Sequence, residues 1–451
     1  MKLVKTLILF IILAILAGYV YFYEIKGGEE REKTKKLEEQ VFNFENDSVK
    51  TVEIRSALQR FYFEKTEDGW KILKPIETDG EKSTIDGLVN TLKNLKKIRE
   101  FSIKQNELKD YGLVGRSTLV ILTFTNGTRD SVRFGDETPV GSNVFANKED
   151  TLVFMVSAYT KNNVTKSLFD FRNKEIAKVK QADVREFKLK NHDGEFYLVK
   201  EGDDWFLKSP VEKKADKTTV STVLRKMEYG KAKSVVSETL ENPKKYRLDK
   251  PAYQLDIYLG ENKAHKKVIF SSLKDNISYA KDESRPQIFT VDSTYIKDLD
   301  KTLFELRNKN FAEYDKDQAD SIVVSQGDSL LSFVKDTSNI WLYNGDRKVK
   351  QWKVTSLLNT INTLRAKKFL MENTPSPNGF GLAHPERIIT VFSKGTVLQE
   401  LRLASPGDDQ KVAFCPSTKV VAEIEKSTYN NLEVKLTDFL EEKKPVSEDI
   451  G

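Results

Sequence analysis

The stretch Trp70-Lys-Ile-Leu-Lys-Pro75 has a counterpart in Trp205-Phe-Leu-Lys-Ser-Pro210, with the proline at the same distance after the tryptophan in both. A third tryptophan, Trp341, continues the series at a nearly equal interval. No proline follows Trp341 at the corresponding position. Solenoid repeats are much shorter, about 20 to 50 residues, so an interval as long as this one indicates tandem domains.

Further landmarks follow each tryptophan in the same order. Triplets ending in leucine come at closely similar distances, at Tyr111-Gly-Leu113, Tyr246-Arg-Leu248 and Phe380-Gly-Leu382. Next comes an aromatic residue followed by a small one, in the pairs Phe145-Ala146, Tyr279-Ala280 and Phe414-Cys415. The first two copies then end almost identically, in Leu168-Phe-Asp-Phe-Arg-Asn-Lys174 and Leu303-Phe-Glu-Leu-Arg-Asn-Lys309. The order of these landmarks predicts three copies of one domain.

The spacing of apolar residues predicts the elements of each copy. In the first copy, alternation predicts strands at Val52–Ile54, Arg60–Phe63 and Gly69–Ile72. A helical period follows in all three copies, at Ile85, Leu88, Val89, Leu92 and Leu95, at Val220, Val223, Leu224 and Met227, and at Val354, Leu357, Leu358, Ile361 and Leu364.

Four more short strands are predicted after the Tyr-Gly-Leu triplet, at 119–124, 130–134, 143–146 and 152–156, and a closing helix near Thr160 to Phe171. The loops between neighbouring strands are too short for parallel crossovers, so the sheets should be mainly antiparallel. The predicted fold class is α+β, with three tandem repeats that each pack a helix on one face of a sheet.

The N-terminal segment from Thr6 to Tyr23 contains no charged residue and is apolar on every helical face in its centre. Its length reaches the lower limit for crossing a bilayer, so we predict one transmembrane helix. Lys2 and Lys5 precede it, which favours a cytoplasmic N-terminus with the remaining chain outside the cytoplasm, at the inner membrane of the cell. The alternative is a cleaved signal peptide, with a cut near Ala17 or Gly18.

These observations predict the boundaries of the chain's segments. They are a cytoplasmic tail at 1–5, the transmembrane helix at 6–23, a juxtamembrane stalk at 24–44, repeat domains at 45–178, 180–315 and 318–441, and a disordered tail at 442–451.

Composition and motifs argue against several functional classes. The 74 basic and 68 acidic residues are well mixed, so nucleic acid is not expected as a partner. The chain has no phosphate-binding glycine loop, no His-Glu-x-x-His and no Gly-x-Ser-x-Gly. Its three histidines, His192, His265 and His384, are far apart, and Cys415 is its only cysteine. We therefore expect no enzymatic activity, no cofactor and no metal.

The repeated tryptophans allow two interpretations. A large aromatic residue at a fixed place in every copy is typical of a domain core. The alternative is an exposed platform that binds a sugar or a peptide. We take the landmarks to be structural, and we assign no catalytic, cofactor-binding or metal-ligating residue. The landmark residues are Trp70, Pro75, Tyr111, Leu113, Trp205, Pro210, Tyr246, Leu248, Trp341, Phe380 and Leu382.

The ordered set of landmarks resembles the bacterial domain of unknown function 4340 family, over nearly all of the chain beyond residue 40. The third copy departs from that pattern, because Trp341 lacks its proline and Phe414-Cys415 replaces the Tyr-Ala pair. The resemblance implies a membrane-anchored envelope protein linked with ABC-type export systems of the kind associated with gliding motility. It implies no catalytic residues.

The expected function is that of a non-enzymatic envelope protein, a scaffold or accessory subunit of a membrane complex such as an ABC-type exporter. Its partners would be the membrane and proteins of that complex, without a small-molecule ligand. A first alternative is an extracytoplasmic module that binds a polysaccharide or peptide, and a second is a hydrolase whose site is assembled from distant residues.

Overall fold

A computed structural model of the protein describes residues 13–21, 37–148, 151–239, 242–407 and 409–441. Within these residues the chain forms three nine-stranded sheets. The α+β class with three repeats is confirmed. The predicted boundaries between domains remain predictions, as does the disordered tail at 442–451, which lies outside the described residues.

The strands of each sheet lie within one repeat. The first sheet contains β1 (Val49–Arg55), β2 (Arg60–Thr66), β3 (Gly69–Lys74), β4 (Thr78–Asp79), β5 (Arg99–Ser102), β6 (Thr118–Phe124), β7 (Arg129–Glu137), β8 (Asn143–Asn147) and β9 (Leu152–Ser157). The second contains β10 (Val184–Lys190), β11 (Glu195–Glu201), β12 (Asp204–Ser209), β13 (Lys213–Lys214), β14 (Ser234–Ser237), β15 (Tyr253–Leu259), β16 (Ala264–Phe270), β17 (Ile277–Asp282) and β18 (Ile288–Asp292). The third contains β19 (Ser321–Gln326), β20 (Ser329–Lys335), β21 (Trp341–Tyr343), β22 (Arg347–Lys348), β23 (Lys368–Met371), β24 (Arg387–Ser393), β25 (Thr396–Ala404), β26 (Val412–Cys415) and β27 (Val420–Glu423).

All three sheets have the same strand order, which in the first is β4-β3-β2-β1-β6-β7-β8-β9-β5. The first and sixth strands of the repeat therefore pair antiparallel in the middle of the sheet, as β1 does with β6. The fifth strand crosses to the far edge and pairs with the ninth, as β5 does with β9. Sequence reasoning missed β4 and β5, because these edge strands are too short to show a period.

One long helix stands between the fourth and fifth strands of each repeat, and shorter helices close the repeat. The helices are α1 (Lys82–Lys93), α2 (Ala158–Val164), α3 (Leu168–Phe171), α4 (Lys217–Tyr229), α5 (Ser293–Leu299), α6 (Leu303–Leu306), α7 (Gln351–Asn362), α8 (Lys426–Asn431) and α9 (Leu436–Phe439). Short 3-10 helices lie at Asn46–Ser48, Gln105–Tyr111, Gln181–Asp183, Pro243–Tyr246 and Lys316–Gln318.

The long helices bury the apolar faces that their spacing predicted. In α1 the buried residues are Ile85, Leu88, Val89 and Leu92, in α4 they are Val220, Val223, Leu224 and Met227, and in α7 they are Val354, Leu357, Leu358 and Ile361. In the first and third repeats these residues belong to the main apolar core, which also contains inward-facing residues of the central strands. A smaller apolar cluster lies apart from each main core, such as the one formed by Leu108, Leu113 and Val153.

The single closing helix that we expected near Thr160 to Phe171 is two helices, α2 and α3. A capping box starts the second one: the Asp170 N–H donates to the Ser167 hydroxyl at 3.2 Å, and the Ser167 N–H donates to the Asp170 carboxylate at 3.0 Å. In a continuous helix these two backbone N–H groups would donate to carbonyls of the preceding turn. Because side chains accept from them here, a new helix begins after Ser167.

The predicted transmembrane helix at Thr6 to Tyr23 lies mostly outside the described residues. Residues 13–21 are helical and expose large apolar side chains, among them Leu13, Ile15 and Leu16. Within the described ranges, no helix has both the length and the apolar character needed to cross a membrane.

The chain divides into two compact units. The first extends to Glu175 and includes Lys231–Val235. The second consists of Ile176–Gly230 and the chain from Val236 onward, and it therefore contains most of the second repeat and all of the third.

A charge on the buried face of α4 should destabilise the second repeat. We expect Leu224→Asp to lower the free energy of unfolding by roughly 3 kcal/mol or more, because the carboxylate would enter an apolar core without a partner. Arg225→Asp, at an exposed position on the same helix, is the matched control. Thermal unfolding followed by circular dichroism measures both variants. Equal melting temperatures for the two would contradict this packing.

Candidate functional site

The three landmark tryptophans occupy one register position in their sheets. Each ring is buried, with 4 to 6% of the residue exposed. Each residue faces a lysine on the neighbouring strand, in the pairs Trp70 with Lys65, Trp205 with Lys200 and Trp341 with Lys335. Pro75 and Pro210 follow directly after β3 and β12. Because the rings lie inside their own repeats, they do not form an exposed platform.

The triplets ending in leucine are turns that carry a left-handed residue. Gly112 has a φ of 67°, Arg247 a φ of 56° and Phe380 a φ of 58°. The leucines that follow are buried in the smaller apolar clusters, at Leu113, Leu248 and Leu382. A side chain at Gly112 would have to share this left-handed backbone and would press against the Asp136 carboxyl group, and both features favour glycine there.

Strand pairing corrects the third aromatic pair. Ala146 pairs with Phe134 and Ala280 with Phe270, and the residue at the same place in the third sheet is Ala413, opposite Leu403. Val412-Ala413, and not Phe414-Cys415, is therefore the counterpart of the Tyr-Ala pair. Phe414 comes two positions after Val412 and lies on the same face, since side chains alternate along a strand. It fills the smaller cluster of that repeat.

The three histidines lie apart. The His192 ring lies 2.9 Å from the Tyr253 hydroxyl and 3.3 Å from the Asp300 carboxylate. Burial, followed by the Asp300 charge, raises the pKa of Tyr253 to about 12, so this phenol stays protonated at neutral pH. His265 lies 2.8 Å from Asp256 on a different strand.

Cys415 is fully buried beside Gln399 and Ser417. Among the residues whose placement is described, no group of three or more histidine, cysteine, aspartate and glutamate residues could hold a metal ion.

A set of charged side chains joins the second repeat to the third within the second compact unit. Arg307, which follows α6, makes two hydrogen bonds of 2.8 Å to the Glu372 carboxylate, which follows β23. Its guanidinium also lies 3.8 Å from the centre of the Phe369 ring. Lys213 of β13 contacts the same carboxylate at 3.5 Å. These contacts, and the Arg307 hydrogen bonds above all, lower the pKa of Glu372.

A second ion pair of this junction lies at the start of α4. Asp216 is the N-cap of that helix and accepts from the Thr219 N–H at 2.9 Å. Its other oxygen accepts from the Arg365 guanidinium at 2.8 Å and lies 3.8 Å from the Lys309 ammonium. Burial would raise the pKa of Asp216, but the hydrogen bonds from Thr219 and Arg365 and the Lys309 charge outweigh it and lower that pKa.

The first compact unit contains the equivalent pair. Glu81, at the same place before α1, lies 3.0 Å from Lys231. The backbone pairing is also repeated: the Ala232 N–H donates to the Lys174 carbonyl and the Ala366 N–H to the Lys309 carbonyl, both at 2.8 Å. In the third repeat the acid is replaced by Lys350, which precedes α7.

Sequence reasoning found the repeated Arg-Asn-Lys segments but missed their partners. The helices α3 and α6 do end directly before Arg172 and Arg307. Glu372 lies far along the chain from Arg307, and Asp216 lies still farther from Lys309, so no local pattern links these residues. One signal in the sequence could have indicated the junction. An acid precedes the long helix in the first two copies, at Glu81 and Asp216, and a lysine, Lys350, precedes it in the third.

A cleft of about 580 Å³ lies beside this junction. Its apolar lining comes from Leu303, Phe304 and Phe369, and the two aromatic rings meet edge to face at 5.8 Å. Lys367 and Lys368 lie on the side of the third repeat, where Lys367 pairs with Glu423 at 3.1 Å. The cleft has the polarity of a peptide-contacting surface, with an apolar floor and a charged rim.

The family model described as domain of unknown function (DUF4340) matches this chain twice, at residues 70–251 and 205–385. The chain belongs to the DUF4340 family. The two matches overlap, and each begins at a landmark tryptophan, as the repeat requires. The resemblance inferred from the landmarks is thus confirmed.

The remaining comparisons add no functional information. No curated protein matches this DUF4340 chain. A DNA polymerase sliding clamp from Pseudomonas aeruginosa, solved with a ligand, is 9% identical and has a TM-score of 0.14, covering 86% of this chain and 94% of that chain. The DNA polymerase III subunit beta from Pseudomonas aeruginosa is also 9% identical with a TM-score of 0.14, covering 86% of this chain and 95% of that chain. Scores this low carry no argument about fold or function.

The junction should make stability depend on pH. Because the folded-state pKa of Asp216 is lowered, its contribution is present above the ordinary pKa of an aspartate and is lost as the pH falls through the lowered value. We expect Asp216→Asn to be less stable than the wild type at about pH 7, and the difference should shrink as the pH falls from about 5 to about 3. Asp203→Asn, in an exposed turn of the same repeat, is the control.

Urea unfolding at a series of pH values measures this difference. A gap between wild type and Asp216→Asn that stays constant over the whole range would show that Asp216 does not hold its charge in the folded protein.

Proposed function

We propose that this DUF4340 protein is a non-enzymatic envelope protein that is held in the membrane by its N-terminal helix. It works by contact, as a scaffold or accessory subunit of a membrane complex, with an ABC-type exporter as the candidate complex. The junction between the second and third repeats carries the proposal. Its charged groups bind one another, through Arg307 with Glu372 and through Arg365 with Asp216, and this pairing of polar groups joins the repeats firmly.

The geometry of such a junction suits a scaffold. A bidentate arginine–carboxylate pair fixes the direction as well as the distance between its partners. The Arg307 guanidinium also lies over the Phe369 ring, 3.8 Å from its centre, which restricts its orientation further. Two repeats joined by this bidentate pair and by the bond between Arg365 and Asp216 keep a fixed arrangement, which a structural subunit needs in order to present partners at a set spacing.

The N-terminal segment supports a membrane location. Residues 13–21 expose apolar side chains around the helix, including Leu13, Ile15, Leu16 and Val20. Such a surface is unfavourable in water by about 25 cal/mol for each Å² of apolar area, and a bilayer removes that area from water. The lysines at Lys2 and Lys5 favour an N-terminus in the cytoplasm, with the repeats outside.

An extracytoplasmic binding module is the second candidate function. The cleft beside the junction favours it, because Leu303, Phe304 and Phe369 give it an apolar floor and charged residues of both signs form its rim. A peptide with apolar and charged residues fits this lining better than an uncharged sugar does.

The first test is topology. We expect alkaline phosphatase fused after Gly451 of the full chain to be active in cells, because the enzyme acquires its disulfides only outside the cytoplasm. The same fusion without residues 1–36 is the matched control and should be inactive. A full-length fusion that is inactive, paired with a fluorescent cytoplasmic reporter at the same position, would rule out the proposed orientation.

The second test is association. When the tagged full chain is purified from membranes in mild detergent, subunits of a transport complex should be recovered with it in fixed proportion. Their recovery should fall when Thr6–Tyr23 is replaced by a cleavable signal peptide. A monomer that carries only a glycan or a peptide would favour the second candidate, and a monomer that is bare in both preparations would contradict a scaffold.

A further inference from the structure

A groove of about 440 Å³ lies on the first repeat, between the end of α1 and the start of α2. Its floor is Leu95, and its rim includes Thr91 and Asn94. Two large apolar side chains stand at its edges, Ile98 with 57% of the residue exposed and Tyr159 with 66%. Exposed apolar side chains that converge on one groove are typical of a contact surface for another protein.

The two exposed apolar residues of this groove have polar residues at the matching positions of the other two repeats. The position of Ile98 is taken by Lys233 in the second repeat and by Lys367 in the third, at the same distance after the junction residue. Tyr159 is the second residue of its helix, and the second residue of the matching helices is Thr294 in α5 and Ser427 in α8. A shared fold therefore does not require apolar residues at these two positions.

Lys96, a basic residue in the groove, occupies the position that Lys231 and Arg365 occupy in the junctions between repeats. Lys96, Lys231 and Arg365 each form the same isolated bridge, with Gln40, Glu175 and Asn310. Lys231 is paired with the Glu81 carboxylate at 3.0 Å and Arg365 with the Asp216 carboxylate at 2.8 Å. Lys96 is exposed, and in the described part of the chain no carboxylate pairs with it. The first repeat thus retains the basic half of a junction.

The groove also lies close to Glu39, near the start of the first repeat. The Lys97 N–H donates to the Glu39 carbonyl at 2.7 Å, so residues next to the groove are bonded to the chain directly after residue 36. Along the chain, the first repeat is the one that follows the N-terminal segment.

We propose that this groove docks a polypeptide of a partner subunit that presents a carboxylate beside an apolar side chain. The carboxylate pairs with Lys96 as Asp216 pairs with Arg365, and the apolar side chain packs between Ile98 and Tyr159. The proposal rests on the proposed function, since it names the surface through which the scaffold holds its complex. The expected occupant is a partner chain. The test distinguishes it from a second copy of this protein and from residues 22–36 of the same chain.

The test compares substitutions in the full chain, with recovery of the membrane subunits as the readout. We expect Lys96→Glu and Ile98→Glu each to lower the recovery of partner subunits by about tenfold, as for a residue central to an interface. Lys50→Glu and Leu58→Glu are the controls, because both residues are exposed on the same repeat, away from the groove. The controls should bind as the wild type does. Circular dichroism and melting temperatures establish that all four variants are folded.

A photocrosslinking residue at position 98 or 159 then identifies the occupant in cells. We expect a cross-link to a partner peptide with an aspartate or glutamate close to the attachment point, and its loss in Lys96→Glu. A cross-link to residues 22–36, to a second copy, or to nothing overturns the inference. Partner recovery that is equal in groove and control variants overturns it too, and leaves the scaffold intact. If the wild type recovers no subunits, the proposed function itself fails.

Discussion

The packing of one long helix against a nine-stranded sheet is the interaction on which every repeat depends. Strands stand about 4.8 Å apart, so nine of them span roughly 40 Å, whereas a helix as long as α4 measures about 20 Å. A single helix covers only part of one face. The remaining cover comes from the short closing helices and from the smaller apolar clusters around residues such as Leu113 and Leu248. Each repeat therefore needs its closing segment, and the position of that segment determines where the chain leaves for the next repeat.

Charge pairing explains how the third repeat is joined to the second in the second compact unit. The closing segment brings Arg307 and Lys309 to the start of α4, where Asp216 already caps the helix. A buried carboxylate is costly unless positive groups and hydrogen-bond donors surround it, so Asp216 requires Arg365 from the third repeat. The pair therefore determines which surface of the third repeat lies against the second repeat. Lys350 stands at the equivalent place of the third repeat, where the same pairing would need an acid.

The buried polar groups of the second compact unit contact one another, and these contacts are relevant to function. Asp216 and Glu372 are held as charged partners and Tyr253 as a neutral phenol, whereas burial lowers the pKa of Lys309 beside Asp216. Groups arranged in this way stabilise contacts between parts of a chain. The groove with Ile98 and Tyr159 is a surface where the first repeat differs in character from the other two.

The sequence by itself determined the number of repeats, the fold class and the faces of the long helices. All three leave periodic signals, namely the even spacing of the tryptophans and the alternating and helical spacings of apolar residues. The sequence also located the landmark residues, although counting along the chain placed the third aromatic pair two positions beyond Val412-Ala413. Only the tertiary structure decided the edge strands, the break between α2 and α3, and the partners of Arg307 and Lys309. These features depend on residues brought together from distant parts of the chain, or on single hydrogen bonds at one serine, and neither leaves a period in the sequence.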